Sequence, residues 1–168
     1  MLMALPKRST VTRSLQRHRL KLNVIRQGGI TLPPLPLSHN FDVPDVFKDM
    51  VVFDSGTGDS RVIILGCDVL LDALARADVW LADGTCSVVP NLFYQLYSIH
   101  FQFGSGLNPA AIYCLLTDKT GASYTIMLNA LKELIPWAKP SKVLADFERA
   151  AMSVFQLAYP TALILVRD

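Results

Sequence analysis

The feature that most constrains this chain is a single change of apolar period near residue 120. Upstream of it, residues 79–82, 92–101 and 110–116 are short runs rich in aliphatic, aromatic and β-branched side chains, separated by segments that hold Gly and Pro. Runs of that kind form strands, and connections this short leave them as antiparallel neighbours. Downstream, Tyr124, Met127, Leu128, Leu131, Leu134 and Ile135 recur at the three-and-four spacing of one helical face. Thr120 is placed to cap that helix and Pro136 to stop it. Residues 142–145 then read as a strand, and Phe147, Ala150, Ala151, Val154, Phe155 and Ala158 as a second helical face stopped by Pro160. Residues 162–166 read as a last strand. Helices between the later strands favour parallel pairing. The pattern predicts an α/β domain: three antiparallel strands, then helix, strand, helix, strand. Ahead of it, residues 51–53 and 61–65 predict two short strands around a polar turn, and Asp68 is placed to cap a short helix ending near Arg76.

Charge divides the chain more sharply than its net of +2 suggests. Residues 1–41 carry seven Lys and Arg and no acid, while residues 42–168 carry nine bases and fourteen acids, a net of −5. Four prolines between residues 31 and 46 mark an extended linker. The expected organisation is a poorly ordered basic arm and linker over residues 1–46 and a folded body over 47–168. A basic arm on a mildly acidic body suits a polyanionic partner, with nucleic acid one candidate. Residues 84–117 lack charged Asp, Glu, Lys and Arg but are interrupted by Pro, Gly, Asn and Gln, so no membrane span is expected. Cys67, Cys86 and Cys114 form no C-x-x-C pair and predict buried free thiols.

Two acids stand where chemistry is expected. Asp83 and Asp146 each follow an apolar strand, the position at which open α/β sheets gather ligands. If the strands are neighbours the carboxylates converge, and paired carboxylates suit a hard cation such as Mg2+. The competing reading makes each a turn or helix cap, Asp146 in particular preceding a helix.

The stretch Trp80-Leu-Ala-Asp-Gly-Thr85, continued by Val88-Val-Pro-Asn-Leu-Phe-Tyr-Gln-Leu-Tyr-Ser-Ile-His100, resembles the first-aspartate block of Mutator-like (MULE) transposases. Leu144-Ala-Asp-Phe-Glu-Arg-Ala-Ala-Met152, followed by Phe155 and Tyr159-Pro160, resembles the second. Between them, Ala111-Ile-Tyr-Cys-Leu-Leu-Thr-Asp-Lys-Thr120 and Tyr124 match the family's strand, turn and helix start. Phe53-Asp-Ser-Gly56 with Arg61-Val-Ile-Ile-Leu-Gly66 resembles the segment preceding its catalytic domain, and Arg13-Ser-Leu-Gln-Arg-His-Arg19 its basic stretch. The similarity spans residues 10–166 and is strongest over 78–160. It implies a ribonuclease-H-like fold, here incomplete, and DNA strand cleavage and transfer by an Asp-Asp-Glu centre with Mg2+ or Mn2+. Carried over by motif, Asp83 is the first catalytic and metal-binding acid and Asp146 the second.

The family's third acid, a Glu, and its Cys/His motif lie beyond residue 168, so the expectation is a C-terminally truncated transposase domain with impaired catalysis and weak metal binding. Glu148, two residues past Asp146, is not expected to replace the missing Glu, because a helix would turn it roughly 200° away. Cys86 also stands where the family usually has an aromatic residue. Residual DNA binding is assigned to Arg13, Arg17, Arg19 and Lys21, and a nuclear location follows from family and arm. The alternatives are a non-enzymatic interaction module that oligomerises through an exposed sheet edge, a relic of a transposable element, or an enzyme whose Glu arrives in trans. Three further features are weighed against blander roles. Val51-Val-Phe-Asp54-Ser-Gly-Thr57 imitates an aspartic-protease loop but reads better as a polar turn. Phe93, Tyr94, Tyr97, Phe101 and Phe103 could stack bases but fit a sheet core, and His100 fits a hydrogen-bonded structural role.

Overall fold

The computed structural model describes residues 36–102, Gly106 and residues 108–166. The arm positions Arg13, Arg17, Arg19 and Lys21 lie outside the described residues, as does Phe103. The described elements, in chain order, are α1 (Asp45–Lys48), β1 (Val51–Asp54), β2 (Val62–Gly66), α2 (Asp68–Arg76), β3 (Val79–Thr85), β4 (Gln95–Phe101), β5 (Ala110–Leu116), α3 (Gly121–Leu134), β6 (Lys142–Ala145), α4 (Arg149–Ala158) and β7 (Leu163–Val166).

The strands form one mixed sheet in the order β1-β2-β5-β4-β3-β6-β7. The pairs β3–β4 and β4–β5 are antiparallel, and β3–β6 and β6–β7 are parallel. An α/β architecture is thus established. The sequence pattern did not foresee where the first two strands go: the β1–β2 hairpin adds to the free side of β5, antiparallel throughout.

Alternation, strict in β4, makes one face of this sheet a core. In β4, Gln95, Tyr97, Ile99 and Phe101 are buried while Leu96, Ser98 and His100 are half-buried. The buried set continues through Trp80 and Ala82 of β3, Ile112, Cys114 and Leu116 of β5, and Val143 and Ala145 of β6. Leu71 and Leu74 of α2, Tyr124, Met127, Leu128 and Leu131 of α3, and Ala151 and Phe155 of α4 join it in one apolar cluster. Leu81, Asp83, Ser98, His100, Leu144 and Leu115 occupy the opposite parity and are half-buried, and Tyr113, Leu163 and Leu165 there are exposed. Phe93, Tyr97 and Phe101 are therefore packing residues, and only Tyr94 of the described aromatics in that run is exposed.

Local detail departs from the sequence reading where caps decide it. Thr120 does cap α3, its hydroxyl accepting from the Ser123 amide at 3.4 Å. Asp68 lies in the first turn of α2 rather than at its cap, which is Cys67. Here a carboxylate still complements the helix dipole. Strand β4 begins at Gln95, three residues later than expected, because Phe93 is held in a turn by the Pro90 carbonyl. Cys114 is buried, but Cys67 and Cys86 are exposed, which corrects the expectation of three buried thiols. Their neighbouring apolar runs end before them.

The described part of the linker is tied to the sheet by Arg61. This guanidinium is buried and donates to the carbonyls of His39 and Phe41 at 2.7 Å each, and to Asp54 Oδ1 at 2.9 Å and Oδ2 at 2.5 Å. It also lies 4.4 Å above the Phe41 ring. Phe41 and His39 meet Phe93 edge-on, and His39 Nε2 contacts the Leu92 carbonyl. The protease-like Asp54 is accordingly an ion-paired residue at the end of β1. Arg61 holds its carboxyl below the usual carboxylate range, and the Gly56 amide adds to that against the opposing effect of partial burial.

Candidate metal centre at the ends of β3 and β6

The parallel joint between β3 and β6 runs from Val79 opposite Lys142 to Ala82 opposite Ala145. Asp83 and Asp146 are each the next residue, on strands whose backbones are about 4.8 Å apart in such a pair. Asp83 takes the parity of Leu81, and continuing the alternation of β6 gives Asp146 the parity of Leu144. The two acids that the sequence singled out are therefore brought to one end of the sheet. Both are half-buried.

Two corrections follow. Strand β3 does not end at Asp83 but continues through Gly84 and Thr85, paired with Tyr97 and Leu96. Asp146 is not the cap of α4: that position belongs to Glu148, whose backbone is extended at φ −118° and ψ 98°. The connection is tight, the Glu148 amide donating to the Asp146 carbonyl at 2.6 Å.

Beside Asp83, on its own face, Ser98 Oγ lies 3.3 Å from the Asp83 carbonyl and 3.0 Å from His100 Nε2. His100 Nδ1 lies 3.0 Å from the Asn108 carbonyl. A carbonyl only accepts, so His100 Nδ1 donates to Asn108 and the Ser98 hydroxyl donates to Asp83. His100 is thus a hydrogen-bonded brace between β4 and the turn that follows it.

Behind the acids lies a polar group set into the core. Gln95 is buried; its Nε2 donates to Glu148 Oε2 at 3.3 Å, and its Oε1 accepts from the Tyr124 hydroxyl at 2.7 Å. Glu148 Oε1 is also buried and has no hydrogen-bond partner among the described residues. Gln95 fits because residue 84 is glycine: a Cβ there would stand 1.9 Å from Gln95 Nε2 and 3.2 Å from Tyr97 Cδ2. Tyr97 and Tyr124 pack edge-on with centroids 5.2 Å apart. Burial pushes the Tyr97 hydroxyl above the ordinary phenol range, with Glu148, then Cys114, Asp146 and Asp83 adding to it. Burial likewise raises Tyr124, with Glu148 next. One phenol thus feels all three carboxylates.

Sequence reasoning set Glu148 aside by treating it as helical. It is not a helical residue, and its carboxylate turns inward to Gln95. The available signal was Gly84 and Gln95 together, a missing side chain beside a polar residue at a core parity. Among the described residues, no group of three or more His, Cys, Asp or Glu is arranged to hold a metal ion. Two carboxylates alone still fit a hard cation that keeps most of its waters. No described helix is long and apolar enough to cross a membrane. No family model matches the chain, and no curated protein matches it.

Proposed function

We propose that this chain carries a ribonuclease-H-like sheet of the Mutator-like transposase type, whose Asp83 and Asp146 bind one divalent cation and, through it, DNA phosphate. The observation that carries the reading is the order β5-β4-β3-β6-β7, three antiparallel strands continued by two parallel ones, with the two acids in register across the parallel joint. Mg2+ or Mn2+ would be held by these two carboxylates and would supply Lewis acidity toward a phosphate oxygen. Cation-assisted DNA binding, with Arg13, Arg17, Arg19 and Lys21 contacting the backbone, is the activity assigned to this chain.

Mn2+ titration of the full chain, followed by electron paramagnetic resonance, tests the site. Wild type should bind about one ion, and Asp83→Asn or Asp146→Asn should abolish binding. DNA affinity should fall with salt, at a slope of about −0.9 in log–log form per phosphate contacted. Alanine at the four arm positions should flatten that slope. Unchanged Mn2+ binding in both Asn variants, or no DNA binding at low salt, would remove the reading.

A second reading has its own observation. Outer strand β7 exposes Leu163, Leu165 and Val166, apolar residues on a strand with no further neighbour among the described residues. Such an edge can pair with another copy of the chain. Sedimentation should then show a dimer that Leu165→Lys converts to monomer; a wild type monomeric at about 100 μM in the same run would rule the edge out, a concentration well above the micromolar range in which specific pairs associate.

A further inference from the structure

The half-buried Glu148 side chain turns inward, Oε2 accepting from Gln95 and Oε1 buried with no hydrogen-bond partner among the described residues, and a buried acceptor left unmatched is costly. The place of this one is specific. Its backbone belongs to the two-residue connection that follows Asp146, and its amide closes on the Asp146 carbonyl. Its side chain reaches across to Gln95, the residue that occupies the space left by Gly84, directly after Asp83. Tyr124 of α3 fixes the far end of Gln95. The chain of contact therefore runs from the residue after Asp83, through Gln95 and Glu148, to the turn holding Asp146.

Resting on the cation-binding reading above, we propose that Glu148 is a positioning residue that acts through Gln95 to hold Asp146 against Asp83 and so sets the affinity of the pair for a divalent cation. It does not ligate the ion. Asp83 is fixed by its strand, with Trp80 and Ala82 buried on either side of Leu81. Asp146 lies one residue past the last paired position of β6, and the Gln95–Glu148 contact ties down the turn that follows it.

The test is Mn2+ affinity of the full chain, with Mn2+ itself as the probe, for wild type, Glu148→Ala, Glu148→Gln and Asp83→Asn. Glu148→Ala should weaken binding roughly tenfold, the lower end of what is lost when a group orienting a metal ligand is removed. Glu148→Gln keeps an oxygen for the Gln95 amide and should restore most of the affinity, a rescue that a charge on the ion itself would not show. Leu128→Ala, a buried change in α3 away from the acids, serves as a destabilised control and should bind as wild type does. Gln95→Asn draws the amide back by one methylene and should mimic Glu148→Ala, keeping the test open if the alanine variant does not fold. Wild-type affinity in Glu148→Ala or Gln95→Asn, with binding lost in Asp83→Asn, would overturn this proposal and leave the cation site standing. Equal binding by wild type and Asp83→Asn, or none by wild type, would overturn both.

Discussion

Arg61→Met should lower unfolding free energy by about 3 kcal/mol, the lower end of the range for breaking a buried ion pair from one side. The guanidinium is 4% exposed and makes hydrogen bonds to both Asp54 oxygens and to the His39 and Phe41 carbonyls. Methionine fills much of the volume but satisfies none of these acceptors. The Asp54 side chain is 25% exposed and regains some water, which keeps the loss from the top of the range. Urea unfolding at neutral pH measures it, and a loss under about 1 kcal/mol would put the pair among surface bridges. Residues 36–42 should also become sensitive to protease, since their carbonyls lose their donor. The acid limb has a definite sign. Asp54 has its folded pKa depressed below the unfolded one, so its contribution is present above the ordinary carboxylate value of about 3.9. It is lost as pH falls through the folded value. Wild type should lose this increment in acid, and Asp54→Asn should lack that part of the pH dependence.

Trp80→Ala should cost about 4 kcal/mol, the middle of the range for truncating a large aromatic in a core. Trp80 is fully buried, pairs with Phe101 on one side and Val143 on the other, and meets Tyr159 edge-on at 5.1 Å. Its indole nitrogen donates to the Leu74 carbonyl at 2.9 Å, so it ties α2, β3 and the end of α4 together. Trp80→Phe keeps most of the ring and removes the indole donor, while the Leu74 carbonyl still accepts from the Ala77 amide at 3.2 Å, so the lost hydrogen bond should cost about 1 kcal/mol. Circular dichroism is the suitable signal, because the remaining Trp137 is exposed and reports little on the core. Equal stability of the alanine variant and wild type would mean that β3 is not the centre of the fold.

What the sequence made legible follows from period. Strands β5 and β6 and the capped start of α3 were readable because alternation, helical spacing, Thr120 and Pro136 all act within a few residues. The convergence of Asp83 and Asp146 was readable only as a condition, since parallel partners 63 positions apart leave no local mark. The hairpin's place beside β5 was not readable, because two short apolar strands carry no record of which edge they join. Glu148 was missed because its role depends on a space left by Gly84 across the sheet, a contact between residues distant in sequence. The fates of Cys67 and Cys86 were missed because adjacency to an apolar run does not extend burial past the run's end.

The parallel joint also orders events in time. Residues 142–145 must close a loop of about sixty residues before Asp146 can stand beside Asp83, while β3, β4 and β5 pair through short connections. Local pairings form before long closures reward their entropy. On a ribosome, the residues of the meander and hairpin are made before those of β6. A cation bound by both carboxylates would therefore report a long-range step of folding, and would stabilise only chains that have already made it.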